Sequence, residues 1–242
     1  MASTASSAPR ASGPTGITRA YLFLYNLVNF LTWGYTVVYT ASWIPGNANK
    51  RDLGTVFNHA WEVVWYTQLI AGLEIVHSLL GIVRAPFFTT AMQVASRLLV
   101  TMGILQQFGP QNLCGKSTAQ IGDFAYIGCV FAWGITEIIR YGYFVITLSG
   151  SQVPKWWTWL RYNTFYVLYP IGISCECTLI YKALAPAASS GPLYPAGYHG
   201  PAYRYFLIAV LAIYVPGSYI LYTHMIKQRT KVLRGKGKQR AD

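Results

Sequence analysis

RYNTFYVLYPIGISCECTLIY, residues 161–181, is an apolar run of helix length that carries a carboxylate, several phenols and a proline. Hydrocarbon tolerates such groups poorly: a charge at the bilayer centre costs at least about 2.5–3.5 kcal/mol, so an ionisable residue inside a span points to function. Tyr169 and Glu176 are seven residues apart, which places them on nearly the same helix face, roughly 10 Å apart along the axis. They can serve one pocket. Pro170 removes a backbone hydrogen bond beside the phenol and frees a carbonyl that can line a cavity; an ordinary membrane-helix bend is the plainer reading of the same residue.

The rest of the composition agrees with a membrane chain. Of 242 residues, 53% are hydrophobic and 11% charged, with mean hydropathy +0.32, against about 25% charged in soluble domains. Lys and Arg outnumber Asp and Glu by 19 to 7. The excess is concentrated in the C-terminal tail and reads as membrane topology and lipid headgroup contact rather than nucleic-acid binding. Cys114, Cys129, Cys175 and Cys177 have no zinc-ligand spacing and no dense framework of a secreted scaffold. They read as small core residues, and none is followed six positions later by Arg, so the Cys-x5-Arg loop of cysteine phosphatases is absent.

Six spans are predicted, making an all-α membrane protein built as a six-transmembrane-helix bundle: about 20–43, 56–83, 89–108, 123–148, 161–181 and 203–226. Residues 1–18, rich in Ser, Ala, Pro, Thr and Gly, read as a disordered tail, 19–226 as the membrane domain, and 227–242 as a basic cytosolic tail. Turns are expected at Pro45-Gly46-Asn47, Lys50-Arg51-Asp52 and Arg84-Ala85-Pro86, and a Pro/Gly-rich loop over 182–202. Lys155-Trp156-Trp157 marks an interface before the fifth span. With both termini on one side, that side holds twelve of the Lys and Arg and the other five, which places the termini in the cytosol. Lys238 and Arg240 loosely match a Lys-x-Lys-x-x retrieval pattern of the endoplasmic reticulum, although a lipid-binding tail explains them equally well.

Polar residues recur inside the other spans. Glu74 and His77 stand at i, i+3, as do Glu137 and Arg140, and Arg97 follows Gln93 and Ser96. The structural reading makes the first pair a hydrogen-bonded tie between helices and the second a within-helix ion pair; the functional reading places them at a polar pocket. Metal binding would need more ligands than these, and His59, His199 and His224 are remote. This much polarity exceeds what an anchor needs. It fits a transport path or an intramembrane active site, and residue physics alone leaves both open.

YVLYPIGISCE (166–176), with GLEIVHSLLGIV (72–83), Arg84, QVASR (93–97) and ITEIIRY (135–141), resembles the 3-hydroxyacyl-CoA dehydratase family of very-long-chain fatty acid elongation, first called protein tyrosine phosphatase-like. The resemblance covers about residues 18–228. It implies a six-span enzyme of the endoplasmic reticulum membrane, a lyase that takes water from (3R)-3-hydroxyacyl-CoA to give trans-2-enoyl-CoA. The family's catalytic Tyr and Glu fall on Tyr169 and Glu176, with the Y-P-x-G-x-x-x-E context intact. Arg97, Glu74, His77, Glu137, Arg140 and Arg161 are candidates to bind substrate or support the pair. No metal or cofactor is implied; the implied partners are the acyl-CoA substrate, membrane lipid and other elongation enzymes. Met102-Gly103 stand where an aromatic residue is expected in relatives, a departure that bears on chain-length fit. A proton-coupled carrier and a noncatalytic scaffold of the elongation complex are the alternatives.

Overall fold

The computed structural model describes residues 14–44, 53–83, 87–116, 118–188 and 200–238. The expected turns at 45–47, 50–52 and 84–86, and Arg240, lie outside these. The described chain is all-α: α1 (Gly16–Trp43), α2 (Gly54–Leu79), α3 (Phe87–Leu98), α4 (Gln106–Phe108), α5 (Ile121–Ser149), α6 (Lys155–Asn163), α7 (Phe165–Ala188) and α8 (Pro201–Lys238). Among the described residues, three stretches are both long and apolar enough to cross a membrane: 121–149, 155–188 and 201–232.

Five boundaries differ from the sequence expectation. The segment read as a plain third span passes after α3 into two π-helical stretches, Leu99–Leu105 and Gly109–Leu113, on either side of α4. Its looser winding follows residues that weaken an α-helix: Gly103 lets Tyr203 donate its hydroxyl to the Gly103 carbonyl at 2.8 Å, and Pro110 opens the second stretch. Lys155-Trp156-Trp157 lie inside α6, which meets α7 at Thr164. Of the loop expected over 182–202, residues 182–188 are helical, because α7 continues through Pro186 to Ala188, and 189–199 lie outside the described residues. At the chain ends, α1 starts at Gly16, inside the stretch read as a tail, and α8 continues beyond residue 226 to Lys238.

α5 is the central helix, packed on α1 along one side and α7 along another. Both its ends are specified locally. Asp123 accepts from the Gln120 amide at 2.8 Å and from the Gly115 amide at 2.9 Å, closing a capping box at the start. Gly150, at φ 90°, ends the helix in the left-handed conformation that glycine adopts without strain. Along its length, Gly134 permits the close approach of α1, since a Cβ there would collide with the Val37 side chain. Trp33, Phe57, Ile104, Phe108, Tyr126, Val130, Tyr141, Leu179 and Leu207 fill the interior.

Polar ties join α1 to α2 across the same interior: Thr36 to Thr67 at 2.9 Å, and the Tyr25 hydroxyl to the Ile70 carbonyl at 3.1 Å. The outer surface is apolar. Val38, Val215, Tyr219 and Ile220 are all exposed, an arrangement suited to lipid and costly in water.

Candidate active site

A cavity of about 270 Å³ lies between α3, α5, α7 and α8, with α6 at its mouth. α7 presents Tyr169, Gly172, Ile173 and Glu176 to it, as the seven-residue spacing requires of one helix face. Glu176 is buried. Its Oε1 accepts from Trp133 Nε1 on α5 at 2.7 Å, and its Oε2 accepts from the Tyr214 hydroxyl on α8 at 2.6 Å. A carboxylate has more acceptor sites than these two bonds fill, so its position is fixed while capacity to take a proton remains. Tyr169 sits about two turns toward the mouth. It donates to the Ser218 carbonyl at 3.1 Å, and its ring stacks on Tyr222 with centroids 5.9 Å apart. Pro170, beside it, supplies no N–H to the carbonyl of Tyr166.

The opposite wall carries a neutralised charge cluster. Arg97 on α3 pairs with Glu137 on α5 at 2.6 Å; Arg140 pairs with Glu137 and reaches Glu74 on α2 at 2.7 Å. The cluster thus couples three helices. Glu137 is its hub, its side chain 1% exposed and held by two guanidinium groups. The i, i+3 pair expected within α5 is present, and its additional partners come from other helices.

Glu74 and His77 do not pair with each other. Glu74 turns to Arg140, while His77 Nε2 lies 2.6 Å from the Tyr21 hydroxyl on α1, with the Tyr25 ring edge-on at 4.6 Å. Both residues tie helices together, and neither lines the cavity. Arg161 does line it, at the mouth. Its guanidinium donates to the Arg140 carbonyl at 3.3 Å and lies over the rings of Tyr143 and Phe144, 4.4 and 4.6 Å from their centroids. Among the described residues no carboxylate stands within ion-pair distance of it. A cation held by rings and one carbonyl keeps donors available for an anion.

Cavity and carboxylate contacts the sequence reading did not single out are Trp133 and Tyr214. Trp133 had a signal: it precedes Glu137 by four residues and so shares its face. Tyr214 had a weaker one, a phenol two residues before a proline within a span. All four cysteines are free, and none lines the cavity. Cys114 is fully buried, and desolvation pushes its thiol up, away from the reactive thiolate.

An all-helical membrane protein with a buried carboxylate and a phenol on one cavity is the class these features define. The chain belongs to the protein tyrosine phosphatase-like protein family, PTPLA, whose model matches residues 68–235. A Schizosaccharomyces pombe relative named a probable very-long-chain (3R)-3-hydroxyacyl-CoA dehydratase is 36% identical, over 88% of this chain and 92% of its own. The Arabidopsis thaliana very-long-chain (3R)-3-hydroxyacyl-CoA dehydratase PASTICCINO 2 is 36% identical over 90% and 94%. The Caenorhabditis elegans dehydratase hpo-8 is 33% identical over 92% and 98%. No solved structure matches the chain at a significant level.

Proposed function

We propose that this chain is a very-long-chain (3R)-3-hydroxyacyl-CoA dehydratase, forming trans-2-enoyl-CoA in the third step of the fatty acid elongation cycle. The observation that carries the reading is that Tyr169 and Glu176 open onto one cavity, the carboxylate buried and held by two donors, in a chain whose relatives bear that name.

In this reaction Glu176 takes the proton from C2, which lies beside the thioester. The C–H electron pair becomes the C2–C3 double bond, the C3–O bond breaks, and the hydroxyl departs as water with the proton Glu176 has collected. Tyr169 exchanges the Ser218 carbonyl for a substrate oxygen and donates to it as charge builds on the thioester. Arg97, Glu137 and Arg140 form the polar wall that holds this geometry. Glu74 and His77 act at a distance, by fixing α2 to α5 and α1.

The same reading places six spans in the endoplasmic reticulum membrane, α1, α2 and the α3–α4 segment joining the three most apolar stretches, with both termini cytosolic. The Lys and Arg asymmetry supports that orientation. Coenzyme A then meets Arg161 at the cytosolic mouth, and other elongation enzymes are the partners. The direct test is conversion of a long-chain (3R)-3-hydroxyacyl-CoA to the 2-enoyl-CoA by purified protein in lipid nanodiscs, followed by mass spectrometry. Turnover is expected; folded protein that binds the substrate without converting it would favour a carrier or scaffold.

Arg161→Ala is expected to raise KM for the acyl-CoA by about 10–100-fold, the value of one charge-assisted hydrogen bond, with kcat nearly unchanged. The corresponding acyl-pantetheine, which lacks the nucleotide phosphates, should show no such change. Equal effects on both substrates would remove Arg161 from phosphate recognition.

A further inference from the structure

The cavity is too small for the substrate proposed for it. A drug-sized ligand ordinarily takes roughly 300–1,000 Å³, and 270 Å³ must here receive the reacting end of an acyl chain far longer than such a ligand. Coenzyme A has the open mouth beside Arg161 and Gln228. The acyl tail needs a second way out.

Most of the walls are closed. Between α3 and α5 stand Arg97, Glu137 and Arg140, charged groups that a hydrocarbon chain would have to desolvate. Between α5 and α7 the Trp133–Glu176 bond crosses the gap. Between α7 and α8 the Tyr169 ring stacks on Tyr222 and the Tyr214 hydroxyl is bonded to Glu176. Beyond Glu176 the interior is filled by Val130, Leu179 and Ile180.

Among the described residues, the seam between α3 and α8 has one polar contact, Ser96 beside the Tyr214 hydroxyl next to Glu176, and is apolar beyond it. These two helices face each other with side-chain tips: Met92 Cε lies 3.7 Å from where a Cβ on Gly217 would stand. Met92 is 43% exposed, and on α8 Ile213 and Ile220, which share the face of the buried Gly217 at i−4 and i+3, are both 61% exposed. An unbranched, flexible thioether against a glycine is a contact that opens at small cost. Its outer side meets the apolar surface that lipid covers.

Resting on the dehydratase reading, we infer that the acyl tail leaves the cavity sideways between α3 and α8, past Met92 and Gly217, into the bilayer. The tail then exchanges one hydrocarbon environment for another, and chain length beyond the seam is not measured by the protein. Met92 and Gly217 are the positions at which long chains are admitted.

Gly217→Phe tests this. A Cβ at Gly217 meets nothing closer than the Met92 methyl, so the new side chain starts without a clash and carries its ring onto the seam, and an unchanged melting temperature checks that this buried position has accepted it. Met92→Trp blocks it from the other wall. Each variant is expected to lower kcat/KM at least about 10-fold for a substrate of about eighteen carbons, while a substrate of about six carbons, which ends before the seam, is turned over within about twofold of wild type. Equal losses on both substrates, or none on the long one, in both variants would overturn the lateral exit. Wild-type protein that converts neither substrate would instead overturn the dehydratase reading beneath it.

Discussion

Glu176→Gln is expected to lower kcat for the dehydration by about 10²–10⁴-fold, the contribution of a positioned acid–base group, with little change in KM. The substitution is nearly isosteric, and the surroundings can accept it. The amide oxygen can receive the Trp133 N–H, and the amide NH₂ can donate to the Tyr214 hydroxyl oxygen, so both present contacts, at 2.7 and 2.6 Å, keep a partner. What the amide loses is the ability to take a proton. An unchanged melting temperature with collapsed turnover is therefore the expected combination, and full turnover in the folded variant would remove Glu176 from proton transfer. Tyr169→Phe complements it. The ring keeps its stack on Tyr222, and the lost bond to Ser218 costs about 1 kcal/mol of stability. The loss in kcat is expected at about 10²–10³-fold, the value of one preorganised donor to a developing oxyanion.

Why Tyr169 and Glu176 could be placed on one face from the sequence, while the partners of the polar residues around them could not, follows from the range of each signal. Tyr169 and Glu176 share one helix, so the 3.6-residue period alone places them on one face. Glu137 and Arg140 are likewise related within a helix, and their ion pair is present as that spacing implies. Arg97 and Glu74 are conspicuous as charges in apolar runs, but which partner each takes depends on how α2, α3 and α5 pack. Spacing within one segment carries no such information. His77 shows the same limit: its helical neighbour Glu74 lies at the right interval, yet Tyr21 on α1 is its hydrogen-bond partner. Trp133 and Tyr214 escaped notice because aromatic residues in membrane helices are common; only convergence on Glu176 from two other helices distinguishes them. The all-helical character was evident from composition and run length. The first π-helical stretch after α3 was not, since it includes Gly103, whose carbonyl receives the Tyr203 hydroxyl from a hundred residues away.

Glu137→Ala is expected to be the most destabilising single change in the charge cluster, costing about 3–5 kcal/mol, because it strips the shared carboxylate from two largely buried guanidinium groups at once. For a chain of this size that corresponds to a fall of about 6–20 °C in melting temperature. Glu74→Ala should cost less: Glu74 is more exposed, at 15% against 1% for the Glu137 side chain, and its loss leaves Arg140 still paired with Glu137. The ordering of the two variants is the measurement, made by thermal unfolding in the same nanodiscs. Adding Arg97→Met to Glu137→Ala removes the charge left without any carboxylate and should recover part of the loss, since an uncompensated buried charge costs more than an apolar side chain in its place. Turnover need not recover with it. Arg97 and Arg140 line the cavity as well as brace it, so a double variant that regains stability but stays slow would separate the cluster's hold on the bundle from its part in shaping the site.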